Sequence, residues 1–254
     1  MASQHGCDPC AYHDGLTSAA PTQIGHVRTG GVAPNSDGDV HTTSSVAVAG
    51  GKLYVGVGSS CNACTEADPT RATIQQLELD GSNMTTRATR MRNAIGLIAN
   101  PDTGTLWAGG AGQDNMPIGH PYEYFDAVTL HSGVADYGWP ACEENHQSYG
   151  SGADCSAAVQ PLVELPAYST IIGAVFYPAS QKGKHAFPAA YRGLFLSGHG
   201  SWHMTNNIYY TAPRVAFVAM NGDAPATAVD WSDPSKQWTE FVGGFQLADN
   251  VTRI

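Results

Sequence analysis

The chain has 254 residues, only 13% of them charged, with 12 Lys and Arg against 22 Asp and Glu for a formal charge of -10. A surface of that sign repels phosphate backbones and carries no Lys or Arg stripe, which argues against nucleic acid as a partner. No run reaches the roughly 18 apolar residues of a membrane span. With 29 Gly, 15 Pro, 11 Tyr and 5 Trp and few charges, the composition points to an all-β chain rather than to long solvated helices.

In chain order, residues 1 to 40 are rich in Gly, Pro, Ser and Asp and lack periodicity, so they are expected to be irregular. From His41 onward a single β domain is expected to run to residue 254. SSVAVAGGKLYVGVGSS alternates apolar and small residues across an AGGK turn and reads as strand, turn, strand. ATIQQLELDGS is a further strand closed by a tight turn. Residues 92 to 115 then form a β-hairpin, with Ile95, Leu97 and Ile98 in one strand, PDTG at the reversal and TLWAGG in the other. Its two ends carry polar chemistry, Arg92 and Asn93 at the entry and Gly112, Gln113 and Asp114 at the exit. EYFDAV and DYGWP lead to the Cys142 region, and IIGAVFYP, GLFLSGHGS, RVAFVAMNGD and WTEFVGGF are four further candidate strands.

Six cysteines fall in local pairs: Cys7 with Cys10, Cys61 with Cys64, Cys142 with Cys155. Two CxxC pairs over fifty residues apart suit disulfides better than one structural zinc site, with zinc and free thiols as the alternatives. Disulfides would imply an oxidising, periplasmic or secreted setting. MASQHGCDPC has no apolar core, so no signal peptide is read there. Sequons stand at Asn83 and Asn250.

KLYVGVGSS, TLWAGGAGQ and GLFLSGHGS repeat an apolar triplet followed by small residues. Their aromatic positions, Tyr54, Trp107 and Phe195, are 53 and 88 residues apart, so the second interval is expected to hold two units. A period of about 40 to 50 residues is that of β-propeller blades of four strands. About five blades are expected, or four with insertions; an ordinary β-sandwich is the alternative.

HTTSSVAV with GGKLYVGVGSSCNAC, RNAIGL with NPDTGTLWAGG, DYGWPACEEN, FYPAS with FP and YRG, and HGSW occur in that order across residues 41 to 222. As a set they resemble the soluble quinoprotein glucose/sorbosone dehydrogenase family, in an apparently truncated or shortened form. The resemblance implies a six-bladed propeller that holds pyrroloquinoline quinone (PQQ) and calcium on one face. It implies His41 as the catalytic base on a sugar hydroxyl, a role suited to a group titrating near neutrality. It places Arg92 and Asn93 against the cofactor, and Gly112 and Gln113 as calcium ligands, to which Asp114 adds a carboxylate. It also implies cofactor contacts from Gln113 and Asp114 and from His199, Trp202 and His203 in HGSWH.

The chain departs from the family where HGSW is followed by His203 rather than by an Asn-Arg pair, which removes a cation expected beside three carboxylates. A calcium-dependent lactone hydrolase is therefore kept as a second reading, with His41, His199, His203 and Asp114 as its groups. A non-catalytic binding propeller is the third. HGSWH lacks the Glu of a metalloprotease helix, GHGSW lacks the spacing of a nucleophile elbow, and GGAGQD lacks a following helix for phosphate. The small-molecule partner implied is a sugar or a lactone.

Overall fold

The computed structural model describes residues 2–3, 6–7, 23–28, 40–42, 44–116, 119–144, 147–150, 152–202, 204–205, 208–249 and 251–253. Cys10, His203 and Asn250 lie outside them, as does most of the N-terminal segment expected to be irregular. Among the described residues the chain is almost entirely β, with three short 3-10 turns and no α-helix. No helix is long and apolar enough to cross a membrane.

The first sheet is built from β1 (Val46–Ala49), β2 (Lys52–Val57), β3 (Thr73–Leu77) and β4 (Thr85–Thr89), each antiparallel to the next. The AGGK turn closes as read: Gly50 and Gly51 both take positive φ, 53° and 74°, the conformation a two-residue hairpin needs. The second sheet contains β5 (Ala94–Ala99), β6 (Leu106–Gly110) and β7 (Glu123–Asp126). After β7 the chain returns through β8 (Ala135–Asp136) to lie parallel to β4 before β9 (Val163–Leu165) pairs with β7. The third sheet runs β10 (Ile171–Tyr177), β11 (Gly193–Gly198), β12 (Arg214–Asn221) and β13 (Thr239–Val242), all antiparallel.

The sheets stack face to face, with the leading strand β5 beside β1 on one side and β10 on the other. Tyr54, Ile74, Ala88, Leu106, Ala108 and Tyr124 fill the first junction. Trp107, Phe125, Leu165, Ile171, Leu194 and Val218 fill the second. Trp107 is fully buried there and meets Phe176 edge-on with ring centroids 5.6 Å apart. Burying an aromatic of that size contributes at the upper end of side-chain transfer energies.

Among the described residues three larger sheets, of five, four and five strands, follow one another along the chain, where the spacing led us to expect about five units. The interval from Trp107 to Phe195 holds one sheet and one insertion, not two units. Residues 127 to 162 leave the sheet between β7 and β9, and the buried Asp126 carboxylate ties them down, accepting from Tyr137 Oη (2.7 Å), His131 Nε2 (2.7 Å) and the Leu162 N–H (3.0 Å). The Cys142–Cys155 disulfide staples the same insertion, and Cys61–Cys64 staples the loop after β2, as the cysteine pairing anticipates. The strands TTRAT and VEL escaped the sequence reading because neither alternates strongly.

A second tie crosses the sheets. Asp223, after β12, accepts from Asn100 Nδ2 (2.8 Å), Thr103 Oγ1 (2.9 Å), Thr105 Oγ1 (2.6 Å) and Trp107 Nε1 (3.0 Å). Asp223→Ala is expected to lower the unfolding free energy by about 2 to 3 kcal/mol, measured by denaturant titration, because it strips partners from part-buried donors at once.

Candidate active site

An antiparallel hairpin brings the start of its first strand and the end of its second side by side. His41 precedes β1 while residues 58 to 64 follow β2; Arg92 and Asn93 precede β5 while residues 111 to 114 follow β6; His199 to Trp202 follow β11. Bonds between sheets set these ends on one edge. The Ser59 N–H donates to Arg92 O (2.7 Å), and the N–H groups of Asn115 and Met116 donate to the phenol oxygen of Tyr168, which leads into β10.

His41 takes a left-handed backbone conformation, with φ at 52°, which turns its ring over the loop after β2. Its Nδ1 lies 2.9 Å from Ser59 Oγ and 3.2 Å from Ser59 O. Ser59 Oγ already donates its single proton to Cys61 O (2.6 Å), so Nδ1 must be the donor and Nε2 carries the lone pair. Burial and the nearby Arg92 guanidinium lower the imidazole pKa to about 4. At neutral pH the ring is therefore uncharged, with a free base nitrogen. Gly58 is required beside it: a Cβ there would stand 2.5 Å from His41 Cβ and 2.7 Å from Asn93 Oδ1.

Arg92 is 4% exposed, and its guanidinium is bound on every side by protein. Nε donates to Asn62 O (3.0 Å), Nη1 to Gly112 O (2.5 Å), and Nη2 to Asn62 Oδ1 (2.9 Å) and Asp114 Oδ2 (3.1 Å). It clamps two loops and sets the field at His41 rather than standing open as an anion hook. Asn93 Oδ1 is buried without a hydrogen-bond partner, an acceptor left for a ligand donor. His199 is exposed, with Nδ1 donating to Gly200 O (3.0 Å), and Trp202 is 66% exposed at the same edge of the third sheet.

The expected calcium ligands are differently engaged. The Gly112 carbonyl and the Asp114 carboxylate both accept from Arg92, so a dication bound to that pair would sit against a guanidinium. Gln113 turns inward, its Nε2 donating to Pro140 O (2.9 Å) and to Glu143 Oε2. Behind the loop lie two buried acids that the sequence reading passed over. Glu123, which accepts the Gly112 N–H (3.1 Å), is pushed up to about 8, and Glu143 to about 7, in both cases chiefly by burial. Two buried carboxyls short of countercharge, beside Gln113, are oxygen donors of the kind a hard divalent cation takes once their protons leave.

No family model and no curated protein matches the chain. Solved structures do. The PQQ domain of pyranose dehydrogenase from Coprinopsis cinerea, in its holo form, superposes with a TM-score of 0.68 at 16% identity, over 96% of this chain and 69% of that one. That likeness shows the fold. The calcium structure of a Trichoderma reesei carbohydrate-active enzyme of family AA12 gives 0.66 at 15%, over 96% and 68%. The PQQ-bound aldose sugar dehydrogenase of Streptomyces coelicolor gives 0.53 at 16%, over 93% of this chain and 59% of its own length.

Three positioning arginines divide the work around this edge, and sequence reasoning found one. Arg71, 2% exposed, donates Nε to Gly58 O (2.6 Å) and Nη2 to Val40 O (2.7 Å) and Ser59 O (2.8 Å), fixing both segments that carry His41. Arg253 donates Nη2 to Ser201 O (2.6 Å), so a cation does lie beside the HGSW turn, brought there from far along the chain. No local motif announces either one.

Proposed function

We propose that the chain is a quinone- and calcium-dependent oxidoreductase acting on a sugar. The observation that carries this reading is His41, neutral, with Nδ1 fixed to Ser59 and Nε2 unprotonated beside Arg92 and Asn93. Such a group takes the proton of a substrate hydroxyl as its carbon is oxidised. PQQ, when bound, supplies the two-electron acceptor for the hydride. His41 holds the proton at Nε2, and Arg92, sharing its charge with Asp114, lies within electrostatic reach of the imidazolium that forms. Asn93 Oδ1 offers an acceptor to the cofactor or to a sugar hydroxyl. Glu123, Glu143 and Gln113 are the residues that would hold calcium. Arg253, with His199 and Trp202 on the facing loop, would stand along the cofactor's anionic edge. Shared fold with the quinone-bound and calcium-bound proteins above supports the reading, and two disulfides support a periplasmic or secreted setting. A β-propeller, six-bladed in the resembled family, belongs to the same proposal.

The test is dye reduction by aldoses with and without added PQQ and calcium. Reduction that appears only when the quinone is present supports the assignment. Calcium-dependent hydrolysis of a lactone with no quinone requirement overturns it.

A further inference from the structure

The loop between Cys61 and Cys64 does more than close a turn. Asn62, inside it, makes five bonds to the site's other groups. Its Oδ1 accepts from the Asp114 N–H (2.8 Å) and Arg92 Nη2 (2.9 Å), and its Nδ2 donates to Asp114 O (3.0 Å). Its main-chain oxygen accepts from Arg92 Nε (3.0 Å) and Trp139 Nε1 (3.1 Å). Cys61 itself supplies the carbonyl that orients Ser59, and through it His41. His41, Arg92 and Asp114 therefore all hang on a stretch of four residues joined end to end by sulfur.

The two sulfurs are unequally reachable. Cys61 is fully buried, while Cys64 is partly exposed and lines a surface pocket of about 420 Å³ with Glu66, Arg90, Trp139 and Pro140. A thiolate entering there reaches Cys64, the more exposed of the pair. Attack forms a mixed disulfide at Cys64 and breaks the S–S bond, so that Cys61 leaves as thiolate and takes up a proton. The second thiol of a dithiol reagent then attacks its own sulfur in the mixed disulfide and frees Cys64. The protein gains two electrons and two protons, and the reagent departs as a cyclic disulfide. Because the loop is so short, its closure adds little to global stability, so breaking it loosens the site before the fold.

We propose that Asn62 is the positioning residue of this site and that the Cys61–Cys64 disulfide is a thiol-responsive strap that holds it. The inference rests on the site being the His41 edge read above, and not on which electron acceptor serves it.

Hydrogen exchange at the Asp114 amide tests the strap without any cofactor, since that N–H is bonded to Asn62 Oδ1. In the oxidised full chain, Asn62→Ala is expected to speed exchange at Asp114 by about 10-fold, the equivalent of one lost hydrogen bond, while Asn62→Asp, which keeps the acceptor oxygen but loses the Nδ2 donor to Asp114 O, speeds it less. Dithiothreitol treatment that alkylation mapping shows to have opened Cys61–Cys64 and spared Cys142–Cys155 should give the same acceleration. Cys61→Ser with Cys64→Ser should do so without reductant, and adding Asn62→Ala should then change nothing further, because strap and residue act through one path. Unchanged Asp114 exchange in Asn62→Ala, or fully additive effects, overturns the proposal. Should the double serine variant not fold, the dithiol arm decides. Absence of quinone-dependent turnover in the wild type would defeat the proposed function while leaving the exchange result to judge the strap.

Discussion

His41→Ala is expected to lower sugar-dependent dye reduction by about 100-fold or more, with the melting temperature close to that of the wild type, because a positioned general base contributes on that order. The structure adds a pH signature. With the imidazole held down to about 4, the base stays uncharged across the range in which an ordinary histidine titrates. The acid limb of kcat/KM should therefore fall near pH 4 rather than near 6.5. The sign for stability follows from the same depression. Between those two values the unfolded chain holds a proton that the native ring refuses, so acidification through that window costs stability, and His41→Ala removes the cost. A variant with unimpaired turnover, or a wild-type limb at pH 6.5, would dismiss His41 as the base.

The first two sheets were legible because their signals are local. Alternation in KLYVGV, the Gly50–Gly51 reversal and the PDTG turn each fix a hairpin within about ten residues, and the polar residues at hairpin ends follow from the antiparallel pairing. What stayed hidden depends on distant pairing. The three residues of β9 become a strand only because β7 lies beside them, after an insertion that periodicity counted as another repeat. The site divides the same way. His41, Arg92 and Asn93 were singled out by their match to a family motif, but that Arg92 is held by Asn62 and Asp114 could not be read locally, because those partners come from other loops. Glu123 and Glu143 look like surface acids in EYFD and ACEEN. Only the stacked sheets bury them.

Those two acids set the second large effect, a stability that should fall with rising pH in chelator and stay nearly level when calcium is bound. Both carboxyls are raised well above an ordinary glutamate, to about 8 and about 7, by burial first. A native state that keeps a proton the unfolded chain releases is most stable below the unfolded pKa and weakens as pH rises through the folded one. In chelator, the unfolding free energy should thus decline steadily from pH 5 to pH 8, by at most about 1.4 kcal/mol per pH step of one for each carboxyl that keeps its proton only when folded. Calcium must displace those protons to bind, so its affinity should climb over the same interval, and saturation at about a hundred times its dissociation constant adds about 2.7 kcal/mol. Denaturant titrations at pH 5 and pH 8, with calcium and with EGTA, separate the cases. Glu123→Gln together with Glu143→Gln should abolish both the decline and the calcium response. An equal calcium response in that double variant would return the metal to residues 112 to 114, where it would have to displace Arg92 from the Gly112 carbonyl and the Asp114 carboxylate.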